Sequence, residues 1–359
     1  MSRAINQLES LAGVVRLRDS VIRARLFDLA LAVVCVCAAS STPGFTQTFA
    51  QIAATPEKRM PVVGISTHFA QGQGDPSTHI RRMKQNGWRA LRDEAFWSHT
   101  ESSVGHFLVP RAIQDTLAVA RQHGMTTTLL LGYGHPVHTR GFKPTTDEQR
   151  TAFAKYARFI AEQTKDLVDT LEIWNEWDID IGGGVDGKPE DYIALLREVV
   201  PVIRKAAPKV KIIGGSLTPE GVDRGYLRAL VNLGLLDWID GVSVHAYVWS
   251  RSANTPQDAA NWVSSNLGYT RGKPIYVTEI GWPTHSSFFQ RRGGISELTQ
   301  QDYVCKTVSL MAAIPSVKSI YFYGLLDSGT DSGNPEHRFG LIRRDGESRP
   351  AFVLKACPI

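Results

Sequence analysis

Two short stretches carry the residues best placed for chemistry: Leu171-Glu172-Ile173-Trp174-Asn175-Glu176-Trp177-Asp178 and Ile275-Tyr276-Val277-Thr278-Glu279-Ile280-Gly281-Trp282-Pro283. Each is an apolar, β-branched run that ends in a glutamate among aromatics. Such a run, bounded by turn signals, reads as a buried parallel strand. A carboxylate just past its end serves no packing purpose. It is well placed for chemistry, because α/β folds build their sites at the carboxyl ends of strands. Two carboxylates that meet across one site can cleave a glycosidic bond. One protonates the leaving oxygen, and the other attacks the anomeric carbon or activates a water. The acid needs a raised pKa and its partner an ordinary one, so their surroundings must differ.

The other strand ends supply suitable company. They offer His68 and Phe69, then Arg92, Asp93 and Trp97, then Tyr133 and His135. Asn175 and Asp178 flank Glu176; His245, Tyr247, Trp282, Tyr321, Tyr323 and Asp327 follow. Aromatic faces stack on the apolar faces of sugar rings, and carboxylates and amides bond their hydroxyls. Arg92 would keep one carboxylate charged and Tyr247 would hydrogen-bond it. Asn175 is placed for a sugar 2-hydroxyl, Trp282 for a sugar platform, and His68, Trp97 and His245 for substrate contacts. His135 and His138 have no carboxylate at ligand spacing, so neither a metal nor a cofactor is assigned. Gly182-Gly183-Gly184 reads as a flexible loop beside Glu176, not a phosphate cradle.

Strands and helices must alternate to bring these residues together. Strands are predicted at 61–69, 88–97, 125–133, 168–176, 210–215, 241–247, 274–279 and 317–323. Helices are predicted at 78–86, 109–123, 146–165, 190–207, 226–237, 258–266, 297–313 and 349–355. Pro201 should kink or split the fourth of these helices. Eight strand–helix units imply a parallel sheet, and their number and length fit a single (β/α)8 TIM barrel over 61–359. A doubly wound sheet is the alternative, but the first turn, Thr67 to Gly74, completes no G-x-G-x-x-G.

The chain has 359 residues, 43% hydrophobic and 21% charged, with a net charge of +5. These are globular values. No basic run is interleaved with stacking aromatics, so no nucleic-acid partner is expected. Arg23 and Arg25 precede Leu26 to Ala39, an apolar run interrupted only by Asp28, and then small and polar residues, the order of a secretory signal. Residues 1–50 are therefore read as a leader. The protein is expected to be secreted or periplasmic, with no membrane span after its removal. Cys35 and Cys37 fill that apolar run. Cys305 and Cys357 remain, one on the helix after the seventh strand and one just past the last helix; those helices are neighbours in a closed barrel, and the two cysteines are expected to be bridged.

Trp-Asn-Glu at the fourth strand and Thr-Glu-Ile-Gly-Trp-Pro at the seventh resemble clan A glycoside hydrolases. The likeness is greatest to family 39 and its bacterial exopolysaccharide-cleaving relatives. Thr-Glu-Ile-Gly-Trp-Pro is also similar to the β-1,3-glucanases of family 17. The resemblance implies that Glu176 is the acid/base and Glu279 the nucleophile of a retaining enzyme acting on a polysaccharide or oligosaccharide. Arg92 and the pair His245 and Tyr247 match the clan's pattern. Related barrels often place a tryptophan just after the eighth strand; here Tyr323-Gly324-Leu325 stands there, and Tyr323 is expected to be the platform. A carbohydrate-binding barrel without catalysis is the other class, against which the presence of both glutamates and Arg92 argues.

Overall fold

A computed structural model describes residues 60–180, 186–248, 254–285 and 294–358. The leader-like segment 1–50, Cys35, Cys37 and the Gly182–Gly184 run lie outside the described residues. Eight parallel strands close into one barrel in sequence order. They are β1 (Val62–Ser66), β2 (Ala90–Phe96), β3 (Thr126–Gly132), β4 (Thr170–Ile173), β5 (Lys211–Leu217), β6 (Gly241–His245), β7 (Ile275–Ile280) and β8 (Val317–Tyr323). The helices are α1 (Pro76–Gln85), α2 (Trp97–Thr100), α3 (Arg111–Gln122), α4 (Asp147–Thr164) and α5 (Pro189–Ala206), then α6 (Pro219–Asp223), α7 (Tyr226–Asn232), α8 (Leu235–Trp238), α9 (Pro256–Asn266) and α10 (Glu297–Ala312). The strands are buried on both faces, as parallel strands under a helical layer must be.

Local chemistry sets the helix entries. Asp75 caps α1 by accepting from Thr78 N–H (2.7 Å), and Thr146 with Gln149 forms a capping box on α4. Four departures from expectation concern the helices and the end of β2. Helix α5 runs unbroken through Pro201. Pro201 and Arg197 both face solvent, so the carbonyl that loses its partner can bond water. The predicted helix 226–237 divides into α7 and α8 at Gly234, which adopts φ 93°. The last predicted helix is two 3₁₀ turns, Pro350–Phe352 and Leu354–Ala356. Two of its polar groups bond the turn that follows α1: Phe352 O accepts from the Trp88 indole (2.8 Å), and Lys355 N–H donates to Asn86 O (3.1 Å). Finally, β2 stops at Phe96, and Trp97 opens the short helix α2, which turns its indole into the core.

Cys305, on α10, and Cys357, after the last turn, are joined by a disulfide with Cα atoms 5.1 Å apart. The bond ties the C-terminal segment to the helix layer, a restraint worth about 2–4 kcal/mol.

Candidate active site

β4 ends at Ile173, and the chain leaves it through two non-glycine residues in the left-handed region, Trp174 (φ 66°) and Glu176 (φ 46°). That conformation is costly for residues with a Cβ. Neighbouring strands hold it: Trp174 N–H donates to Leu131 O (2.8 Å) and Glu176 N–H to Ser216 O (3.1 Å). The indoles of Trp174 and Trp177 are buried, edge to face on each other, and point the turn so that Glu176 reaches the barrel mouth. Its side chain is 18% exposed.

Two irregularities align the opposite wall. Ser216 (φ 49°) bulges out of the β5–β6 ladder, and a second register shift pairs His245 of β6 with Glu279 of β7. Bulges beside active sites re-aim side chains in this way. Gly281 follows; a Cβ there would lie 2.4 Å from Tyr323 O, so only glycine lets the ends of β7 and β8 approach this closely.

One imidazole then joins the two carboxylates. His245 Nδ1 lies 2.7 Å from Glu176 Oε1, while its Nε2 lies 2.9 Å from Ser216 Oγ and 3.6 Å from Glu279 Oε1. Burial would lower the pKa of this ring, but the charges of Glu279 and Glu176 outweigh it and hold the pKa above the ordinary histidine value. Glu279 also accepts from Arg92 Nη1 (2.9 Å) and from the Tyr247 hydroxyl (3.0 Å). Buried in the barrel, Arg92 spends all three nitrogens: Nε donates to Glu172 (2.6 Å), Nη1 to Glu279 and Nη2 to Asn175 Oδ1 (2.9 Å). Burial works against its charge, but Glu172 and then Glu279 raise its pKa above the usual value, so it is always a cation. Tyr247 is held neutral by burial and by Glu279, which together push its pKa well up. A neutral donor and a fixed cation therefore face Glu279, whereas Glu176 faces a histidine.

Around Glu279 the cleft encloses about 550 Å³ and is lined by His68, Gln71, Glu94, Tyr133, Tyr247 and Tyr323, among others. Glu94 accepts from Tyr133 (2.8 Å) and Gln71 (2.6 Å) and lies 3.7 Å from His68 Nδ1. Burial tends to neutralise Glu94, but hydrogen bonding and charge from His68 win and keep its pKa low. Tyr323 stands edge-on to His68, Tyr247 and Phe339.

The barrel therefore brings together Arg92, Asn175, Glu176, His245, Tyr247, Glu279, Tyr323 and His68. It does not bring Trp97 or Trp282 into the cleft. Trp97 is fully buried, stacked on His138 and bonded to Glu101 (2.7 Å). Trp282 is buried against Tyr303 of α10, its N–H donating to Asn254 O (2.7 Å). Both aromatics pack the helix layer instead of offering a sugar a face. Tyr321 bonds Thr128 inside the barrel (2.8 Å), and Asp327 pairs with Arg349 (2.7 Å). The close polar neighbour of Glu176 is His245. Among the described residues, no three His, Cys, Asp or Glu side chains form a group that could hold a metal ion.

Sequence reading passed over Glu172 and Glu94. Glu172 is a charge inside an otherwise apolar strand, which must be paired to be buried. Glu94 stands two residues from Arg92, hence on the same face of β2. Both signals were present.

No family model matches the chain. Over 237 residues it is 24% identical to a probable glucan endo-1,3-β-glucosidase of Aspergillus oryzae, a match covering 64% of this chain and 48% of that protein. The chain thus spans about half the length of the curated relative it matches. Among solved structures, it superposes on a family 39 glycoside hydrolase from Bacteroides cellulosilyticus WH2 with a TM-score of 0.68 and 22% identity. That match covers 84% of this chain and 64% of the other. It also superposes on a family 5, subfamily 18 glycoside hydrolase variant from Streptomyces cattleya solved with Manβ1-4GlcNAc. There the TM-score is 0.65 and the identity 16%, with 82% and 79% of the two chains covered. The chain shares the barrel fold of glycoside hydrolases of families 39 and 5, the clan A fold.

Proposed function

We propose that the protein is a retaining O-glycoside hydrolase acting on a β-linked polysaccharide. The observation that carries this reading is the pair Glu176 and Glu279, delivered from β4 and β7 to opposite nitrogens of the His245 ring. Both carboxylates line the same cleft, and the double displacement requires them to stand about 5–5.5 Å apart. Glu279 attacks the anomeric carbon as Glu176 gives its proton to the glycosidic oxygen, and the leaving sugar departs as an alcohol. Glu176, now a carboxylate, takes a proton from water, and that water displaces Glu279 from the anomeric carbon. Because Arg92 holds the oxygen of the Asn175 amide, the amide nitrogen is turned toward the sugar's 2-hydroxyl.

The first candidate polymer is a β-1,3-glucan, supported by the glucan endo-1,3-β-glucosidase relative and the Thr278-Glu279-Ile280-Gly281-Trp282-Pro283 motif. Laminarin, other β-glucans and bacterial exopolysaccharides should be tested together, with NMR of the first-formed product. The expected outcome is cleavage of a β-glucan with the β-anomer retained. An inverted anomer would overturn the mechanism, and binding without cleavage of any polymer would favour the carbohydrate-binding alternative.

Export is part of the same proposal. It is supported by the leader-like order of residues 1–50 and by a disulfide of the kind that persists outside reducing compartments. N-terminal sequencing of protein recovered outside the cytoplasm should start beyond the apolar run; a mature form that begins at Met1 contradicts it.

A further inference from the structure

Beyond Glu176 the cleft opens into a second lobe of about 560 Å³, a volume typical of small-molecule sites. Tyr133, Asn175 and Glu176 line both lobes, whereas Glu279 lines only the first. A glycan lying across Glu176 would therefore place its attacked sugar over Glu279 and its departing sugar in the second lobe. One wall of that lobe is Phe142, which is 47% exposed.

A single exposed apolar side chain needs no explanation. This one is held in place. Phe142 N–H donates to Thr139 O (3.1 Å), Gly141 N–H to His135 O (3.2 Å), and His135 N–H to Thr139 Oγ1 (2.9 Å). That hooked loop is anchored in turn, by His135 Nε2 against Glu101 O (2.7 Å) and by the His138 ring stacked on Trp97. Arg140 (φ 56°) and Gly141 (φ 85°) turn the hook back on itself. Gly134 gives it room, since a Cβ there would lie 2.1 Å from the Gly141 carbonyl carbon. The histidines and Trp97 thus fix the backbone that carries Phe142, in the lobe that Glu176 also lines. Fixing the loop in advance lowers the ordering cost of binding to it.

The charges of the lobe are balanced. Lys143, bonded to Ile179 O (2.8 Å), sits with Asp180 and Asp186, while Asp186 and Asp191 are paired with Arg224 (3.5 Å) and Arg150 (3.7 Å). Such a lining favours hydroxyl groups over a charged substituent. Resting on the hydrolase reading above, we propose that this lobe binds the leaving-group side of the glycan. Its ligand is a neutral pyranose whose apolar face stacks on Phe142.

The test compares Phe142→Ala and Phe142→Tyr with the wild type on laminarihexaose and on β-laminaribiosyl fluoride, whose leaving group is too small to reach the lobe. Loss of the ring should lower kcat/KM for laminarihexaose about tenfold, with the tyrosine variant near wild type and all three proteins alike on the fluoride. Equal loss on both substrates, or undiminished cleavage of laminarihexaose by Phe142→Ala, overturns the assignment. A wild type that consumes the fluoride but not laminarihexaose refutes the proposed ligand. A wild type that turns over neither refutes the glucan-hydrolase reading itself.

Discussion

Replacing Glu279 by alanine is expected to abolish hydrolysis of every substrate, with turnover down by about 10⁵–10⁶, the scale of loss when a nucleophile is removed. No neighbour can substitute. Arg92 and Tyr247 approach Glu279 as donors, and neither carries a lone pair suited to attack at neutral pH, since the Tyr247 pKa is pushed up. His245 faces the site with a ring already engaged by Glu176 and Ser216. The loss should therefore be the same for aryl glycosides and for polymers, because no leaving group, however good, replaces the missing bond to carbon. Steady-state kinetics on an aryl β-glycoside and a β-glucan provide the check. Comparable rates before and after substitution would exclude Glu279 from the chemistry. The variant should remain folded, because the Glu279 side chain reaches the cleft and is not part of the strand packing.

Replacing Glu176 by alanine should give a different signature. General acid–base assistance is worth about 10²–10⁴, and the loss should fall on the first step only where the leaving group needs a proton. Polymer hydrolysis should drop by that factor. A dinitrophenyl glycoside should still form the glycosyl-enzyme at nearly the normal rate and then stall, giving a burst followed by slow release. Azide, which needs no proton removed, should restore turnover and yield a β-glycosyl azide. If azide gave an α-azide with Glu176→Ala, or a β-azide with Glu279→Ala, the roles of the two glutamates would have to be exchanged. The removed carboxylate also frees His245 Nδ1, so its protonation should no longer be supported from that side.

Much of this was legible in the residues. Alternating strand and helix patterns, and carboxylates at the ends of apolar runs, specify the barrel and its rim of carboxylates because burial and period are local properties. Arg92, His245 and Tyr247 could be named for the same reason. Three things could not be read locally. Trp97 and Trp282 look like sugar platforms in the sequence, but a one-residue difference in where β2 ends, and the packing of α10, bury both. The close neighbour of Glu176 is set by the register of β5, β6 and β7, which depends on two bulges that no short motif encodes. The segment 350–356 bonds the turn that follows α1 instead of continuing as an α-helix, a choice made by tertiary contacts.

The buried pair of Arg92 and Glu172 has a consequence for how this protein can change over time. Neither residue can be exchanged alone without stranding its partner's charge inside the barrel, a penalty of about 3–5 kcal/mol. Arg92 is also the cation that faces Glu279. A lineage seeking a different electrostatic setting for Glu279 would thus have to cross a valley in which the barrel itself is weakened. The loops of the two lobes face no such barrier. Diversification under selection, or in a directed library, should accumulate in the lobe walls while positions 92 and 172 move together or not at all.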